Sequence, residues 1–178
     1  GTYTVKIKGI GNYSGETTVK YTVNAQQSYK ATAAAKTYNA KNQTTKVTVK
    51  YGNTVLKRGT DYKITGVTKA KNAGKYKITV KGINNYKGTK TIYYTINKAA
   101  QKSVKVSVNA SKKKVTVSGV KAKAKVTYKS GNKKVTVKNG KITVGKGVKK
   151  GTKVRITVKV AATKNYKAYS KSIIYKVK

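Results

Sequence analysis

Cysteine, histidine, methionine, tryptophan, phenylalanine and proline are all missing from this sequence of 178 residues. Carboxylates are nearly missing too, since Asp and Glu together number 2, namely Glu16 and Asp61. Each absence removes a chemistry. Without cysteine there is no disulfide and no thiol nucleophile. Without histidine, and with two carboxylates far apart in the chain, no general acid–base pair or metal-ligand cluster can be assembled within one module. No phosphate-binding loop or dinucleotide fingerprint is present, and Gly145 and Gly147 read as a turn. The sequence therefore predicts a non-enzymatic chain with no cofactor, no metal and no small-molecule substrate. No stretch reaches the ~18 apolar residues of a membrane span, and none has the layout of a signal segment. Lacking methionine, the sequence reads as a piece of something longer. Lack of cysteine fits an exposed surface, where no reduced cytosol is needed to keep thiols safe.

What is present is lysine and strand formers. Lys and Arg number 43, giving a formal charge of +41, and only Arg58 and Arg155 are arginine. High net charge with few large apolar residues is a signature of disorder, but the pattern opposes that reading. Val, Ile, Thr and Tyr dominate the rest, all favoured in strands. Runs of strict alternation lie between Gly and Asn punctuation. The stretch KVTVKNGKITV places Asn139-Gly140 between two alternating runs, which predicts a tight hairpin of type I′. Gly52-Asn53 predicts a second turn. Residues 31–42 read as an irregular lead-in, and no window carries a helical period. The fold class expected is all-β: tandem small β-sandwich modules in an elongated array, with Val, Ile and Tyr inside and lysines outside. Without Phe or Trp, tyrosine must supply the large core side chains, with each hydroxyl at a rim or bonded to backbone.

The chain repeats itself. GTYTVKIKGIGNYSGETTVKYTVN (1–24) aligns without gaps to GKYKITVKGINNYKGTKTIYYTIN (74–97), with Tyr3/Tyr76, Gly9/Gly82, Asn12/Asn85, Tyr13/Tyr86, Gly15/Gly88 and Tyr21/Tyr94 identical. A looser copy, 151–178, keeps an Asn-Tyr pair at Asn165-Tyr166. Each copy predicts two strands joined through an Asn-Tyr loop. Residues 1–27 read as the closing strands of a module whose front half is missing. Residues 28–97 read as one complete module, and 98–178 as a module of a second type. The junctions are short and polar.

The elements Leu56–Tyr62 (LKRGTDY), Asn72–Gly74 (NAG), Val80–Gly88 (VKGINNYKG) and the closing Tyr94 and Ile96 resemble an Ig-like repeat of large secreted and surface proteins of Gram-positive bacteria. Residues 104–178 resemble a related bacterial Ig-like module. The resemblance implies an Ig-like sandwich, an extracellular or bacterial cell-surface location, and a role as stalk, spacer or adhesive module. Members of that family carry mixed charges. The near loss of acids here is a departure from the pattern, and it points to function.

Intramolecular repulsion at this charge opposes the compact state, so a partner or salt must supply the counter-charge. Lysine is a hydrated point charge rather than a bidentate fork. Base-specific reading is thus not expected, and no nucleic-acid motif is present. The expected partners are extended polyanions: teichoic acid and other cell-wall polymers, acidic glycans, anionic surfaces, and extracellular DNA bound by charge alone. Binding would be multivalent and spread over modules. The candidate contact residues are the densest lysines of the last module: Lys112, Lys113, Lys114, Lys121, Lys123, Lys125, Lys129, Lys133, Lys134, Lys149 and Lys150. Of these, 121/123/125 and 129/133 are expected to project from exposed strand faces. The alternative reading is a spacer whose charge serves solubility or extension. Family members that form Lys–Asn isopeptide bonds need an assisting acid. Asp61 suits a turn bond to a backbone amide better, and Glu16 an exposed loop.

Overall fold

The computed structural model describes residues 2–23 and 28–178. Four residues of the first junction, Asn24 to Gln27, and Gly1 lie outside the described residues. Among the described residues the protein is all-β, without helix, and divides into several small sheets. It packs as two compact units. One comprises residues 1–34, 44–69 and 75–94; the other comprises 35–43, 70–74 and 95–178.

The first unit opens with an antiparallel hairpin of β1 (Thr2–Lys8) and β2 (Glu16–Thr22). Short strands follow along the chain: β3 (Lys30–Ala33), β4 (Lys36–Thr37), β5 (Gln43–Thr44), β6 (Val47–Tyr51), β7 (Thr54–Val55), β8 (Tyr62–Gly66) and β9 (Lys69–Ala70). Of these, β4 belongs to the second unit, and β5 and β9 straddle the division. Two longer strands close the repeat, β10 (Gly74–Gly82) and β11 (Thr89–Asn97). The sheets run β3-β6-β7, β5-β9 and β4-β11-β10-β8. Residues 31–42 therefore contain short strands as well as irregular chain. Ala and Thr in that stretch are extended because β6 and β11 offer free edges to pair with. Gly52, at φ 55°, makes the expected turn with Asn53 between Tyr51 and Thr54.

Alternation builds the core of this unit. Tyr76, Ile78 and Val80 share one face of β10, opposite Lys75, Lys77 and Lys81. Ile78 and Val80 are buried, together with Tyr29, Val49, Leu56, Tyr62 and Tyr94. Each such side chain contributes about 1.5–3 kcal/mol relative to exposure. The rings of Tyr76 and Tyr94 stack, with centroids 5.1 Å apart.

The second unit holds a complete two-sheet arrangement. Its strands are β12 (Lys105–Asn109), β13 (Lys114–Ser118), β14 (Val126–Ser130), β15 (Val135–Lys138), β16 (Lys141–Val144), β17 (Lys153–Val160) and β18 (Tyr169–Lys176). One sheet has the order β12-β13-β16-β15, the other β14-β17-β18. Between them lie Val106, Val115, Val135, Ile142, Val154, Ile156, Val158, Val160 and Tyr175, all buried. The Asn139-Gly140 turn forms as expected, with φ of 50° and 80°. Gly140 is also required by space, since a Cβ there would sit 2.5 Å from the Val115 carbonyl oxygen.

Residues 35–43 and 70–74 join this unit through the Asn-Tyr loop of the last copy. The Asn165 side chain accepts from the Ala73 amide at 2.8 Å and donates to Asn72 Oδ1 at 3.1 Å. The Tyr38 and Tyr166 rings meet edge to face at 5.4 Å.

Two tyrosines depart from the expected hydroxyl rule. Tyr29 follows it, with its hydroxyl 2.8 Å from the Val80 carbonyl and 2.9 Å from that of Gly88. Tyr94 and Tyr175 do not: both hydroxyls are buried with no partner. In a chain without Phe, tyrosine fills space that needs only a ring, and the desolvated hydroxyl is the cost.

Candidate functional site

Strand alternation in the second unit sorts its side chains by sign as well as by polarity. Along β17, Val154, Ile156, Val158 and Val160 point inward and are buried, so Lys153, Arg155, Thr157 and Lys159 point outward. Register then carries this face across the sheet. Lys153 lies opposite Lys176, Thr157 opposite Ser172, and Lys159 opposite Ser170 on β18. On the other side, Thr127 lies opposite Lys159, and Lys129 opposite Thr157 on β14. Lys125, exposed just before β14, continues the same side. The result is one sheet face carrying Lys125, Lys129, Lys153, Arg155, Lys159 and Lys176, with hydroxyls and the exposed Ile174 between them. The Thr157 and Ser172 hydroxyls are 2.9 Å apart. Lys125, Thr127, Lys159 and Ser170 line a shallow open depression at one end.

Successive outward positions on a strand are separated by about 6.8 Å, and neighbouring strands by about 4.8 Å. At such spacing each neighbouring pair of cations repels by roughly 0.6 kcal/mol even at the dielectric of bulk water. Lysines stand directly opposite lysines at several places in the protein, one of them on this face. The pairs are Lys30/Lys50, Lys63/Lys81, Lys114/Lys141, Lys138/Lys141 and Lys153/Lys176. Like charges in this relation oppose the sheet. Lys114, Lys141 and Lys138 make a row across three strands of the four-stranded sheet.

The carboxylates relieve little of this. Glu16 is the first residue of β2, not a loop residue, and its carboxylate lies 3.4 Å from Lys6 Nζ at an exposed position. Asp61 holds a turn, accepting from the Lys57 amide at 2.7 Å.

The eleven lysines singled out from the sequence are all exposed, but they do not form one surface. Lys114 and Lys129 lie on strands, in different sheets, and Lys125 flanks the second of these. Lys112 and Lys113 sit in the turn between β12 and β13, where Asn109 Oδ1 accepts from the Lys112 amide at 2.9 Å. Lys121 and Lys123 do not project from a strand as expected. They occupy a turn in which Ala122 and Lys123 have φ of 53° and 48°. The chain must leave one sheet and enter the other here, and Gln101 Oε1 anchors that crossing by accepting from the Lys121 amide at 3.1 Å. Lys133 and Lys134 are likewise in a turn, fixed by Asn132 Oδ1 and the Lys134 amide at 2.8 Å, so Lys133 is not on a strand face either. Lys149 and Lys150 lie in the turn before β17. The sequence reading missed Lys153, Arg155, Lys159 and Lys176. Their signal was the alternation of KVRITVKV, outweighed there by local lysine density.

Among the described residues, no group of three or more potential metal-ligating side chains is found, and no helix is long and apolar enough to cross a membrane. The structure thus defines an all-β protein with a lysine-bearing sheet face. No protein-family model matches the chain, and no curated protein matches it.

Proposed function

We propose that this protein is a non-enzymatic, extracellular or cell-surface adhesive module that binds extended polyanions through lysine-covered sheet faces. The observation that carries the reading is the β14-β17-β18 face: five cations on its strands and Lys125 at its edge, no carboxylate among them, and hydroxyls interleaved. Such a surface is unfavourable alone and favourable against a polymer of negative charge, whose released counterions drive association. Lysine in place of arginine suits a partner read by charge rather than by shape.

The modules are proposed to be Ig-like. In the second unit, β12, β13, β16 and β15 form one sheet and β14, β17 and β18 the other. That is the four-plus-three strand order of constant-type Ig sandwiches. The proposed partners are cell-wall polymers such as teichoic acid, acidic glycans and, by charge alone, DNA.

Fluorescence titration of the full chain with an acidic polysaccharide and with duplex DNA, over a range of salt, tests this. Replacing the six face cations by Gln should flatten the plot of log affinity against log salt by about 0.7–0.9 per lost contact. Replacing six turn lysines (Lys112, Lys113, Lys121, Lys123, Lys149, Lys150) removes the same charge and should flatten it less. Equal flattening would reject the sheet face as the site. Absence of binding at near-physiological salt would reject polyanion recognition and favour a charged spacer.

A further inference from the structure

The β1–β2 hairpin and the β10–β11 pair have the same sequence pattern and the same loop geometry. The Gly9 amide donates to the Gly15 carbonyl at 2.9 Å, as the Gly82 amide does to Gly88 at 3.0 Å. The Tyr13 amide donates to Ile10 at 3.3 Å, as that of Tyr86 does to Ile83 at 3.1 Å. Tyr3, Val5, Ile7, Val19 and Tyr21 share one face of the hairpin by register, and all are exposed, Ile7 by 51%. Ile78 and Val80, the counterparts of Val5 and Ile7, are each 0% exposed.

The second copy shows what covers this face. The Tyr29 ring lies against Gly82, so closely that a Cβ there would be 2.7 Å from Cε1. Its hydroxyl reaches the carbonyls of Val80 and Gly88. The corresponding atoms of the hairpin are the Gly9 surface and the carbonyls of Ile7 and Gly15. Ile7, Gly9 and Gly15, with Ser14, Glu16 and Thr17, line an open pocket of about 260 Å³. In addition β8 pairs antiparallel with β10 along Ile78–Gly82, whereas among the described residues β1 pairs with β2 alone in a two-stranded sheet. The hairpin therefore presents a tyrosine pocket, an apolar face and a free strand edge in the arrangement that residues 28–66 satisfy one repeat later.

We propose that the β1–β2 hairpin is a docking surface for a polypeptide segment built like residues 28–66 of this chain. The segment adds a strand antiparallel to β1 over Val5–Gly9 and seats a tyrosine against Gly9. The internal copy specifies the occupant: a Tyr29-type ring seated on the glycine and a β8-type strand along the edge. A tyrosine-free apolar peptide or a lipid surface would offer no hydroxyl to the Ile7 and Gly15 carbonyls. Because such a segment is itself lysine-rich, salt should strengthen the docking, opposite to its effect on polyanion binding.

The test joins a duplicate of residues 28–73 ahead of Gly1 of the full chain, so that it enters the hairpin as it natively enters Gly74. Hydrogen exchange is then read at the amides of Val5 to Ile10. Exchange at least 100-fold slower than in the original chain is expected. Tyr29→Ala in the duplicate alone, or Val5→Lys in the hairpin, should restore fast exchange, while amides of β17 stay unchanged in every variant. Unchanged exchange at Val5 to Ile10 in the extended chain would overturn the proposal. So would equal protection in the original chain on raising its concentration, which would mean that hairpins pair with each other.

Discussion

The hairpin at 2–22 and the strand pair at 74–97 are the same sequence idea in two surroundings. Tyr3, Val5, Ile7 and Tyr21 are exposed; Ile78, Val80 and Tyr94 are buried. Alternation and the loop hydrogen bonds are shared, and in both copies the two strands are neighbours in a sheet. What differs is the preceding segment, which brings the Tyr29 ring against Gly82 and the strand Tyr62–Gly66 along β10. A β-strand pattern thus states which face wants covering and leaves open whether anything covers it.

Substitutions at matched positions measure that difference. Ile78→Ala should destabilise the first unit by about 2–5 kcal/mol through the transfer and cavity terms. Val5→Ala, the matched change in the hairpin, should stay within about 0.5 kcal/mol, as exposed sites do. Urea unfolding of both variants checks this. Equal effects would mean that the hairpin face is covered in solution.

Hydroxyl deletion sharpens the comparison within the covered copy. Tyr29→Phe removes a buried hydroxyl whose one proton is shared between two carbonyls and should cost about 1–3 kcal/mol. Tyr94→Phe removes a buried hydroxyl without a partner and should be neutral or stabilising. Thermal melts of the two variants should move in different directions or by clearly different amounts.

Alkaline pH acts on the same two side chains. Burial raises the pKa of Tyr29, partly offset by the nearby Gly82 backbone. Burial, with a smaller contribution from Tyr76, raises that of Tyr94. The folded state therefore favours the neutral phenols. Their contribution to stability is complete below about pH 10, the unfolded value, and is lost as pH rises through the folded values. Phenolate absorbance followed together with unfolding should show these tyrosines ionising only as the first unit opens.

Salt should have the smallest effect per step and the broadest reach. The opposed lysine pairs repel through solvent, and the screening length falls to about 10 Å at 0.1 M salt. Melting temperature should rise steadily with added sodium chloride. A flat response would show that the lysine pairs do not load the fold.

Much of this was legible in the sequence. Asn139-Gly140 fixed a hairpin because only certain residues accept two left-handed positions, and the repeated Asn-Tyr loops each join two strands, as expected. Alternation in KVRITVKV stated both the buried valines of β17 and its outward cations. The error lay in ranking lysines by local density. Dense runs such as Lys112-Lys113 and Lys133-Lys134 are dense because turns tolerate them. The shared face, by contrast, gathers residues from β14, β17 and β18, which are distant in sequence and meet only through register. Tyr94 and Tyr175 were misread for a related reason: a sequence without Phe does not reveal which tyrosines are used only for their rings.

The most direct test of the central claim is a titration of the full chain with an acidic polysaccharide at near-physiological salt, beside the Gln variants of the β14-β17-β18 face and of the turn lysines. The account predicts tight binding by the native chain, a large loss for the face variant, and a smaller loss for the turn variant of equal charge. No binding by the native chain, or equal losses for the two variants, would contradict it.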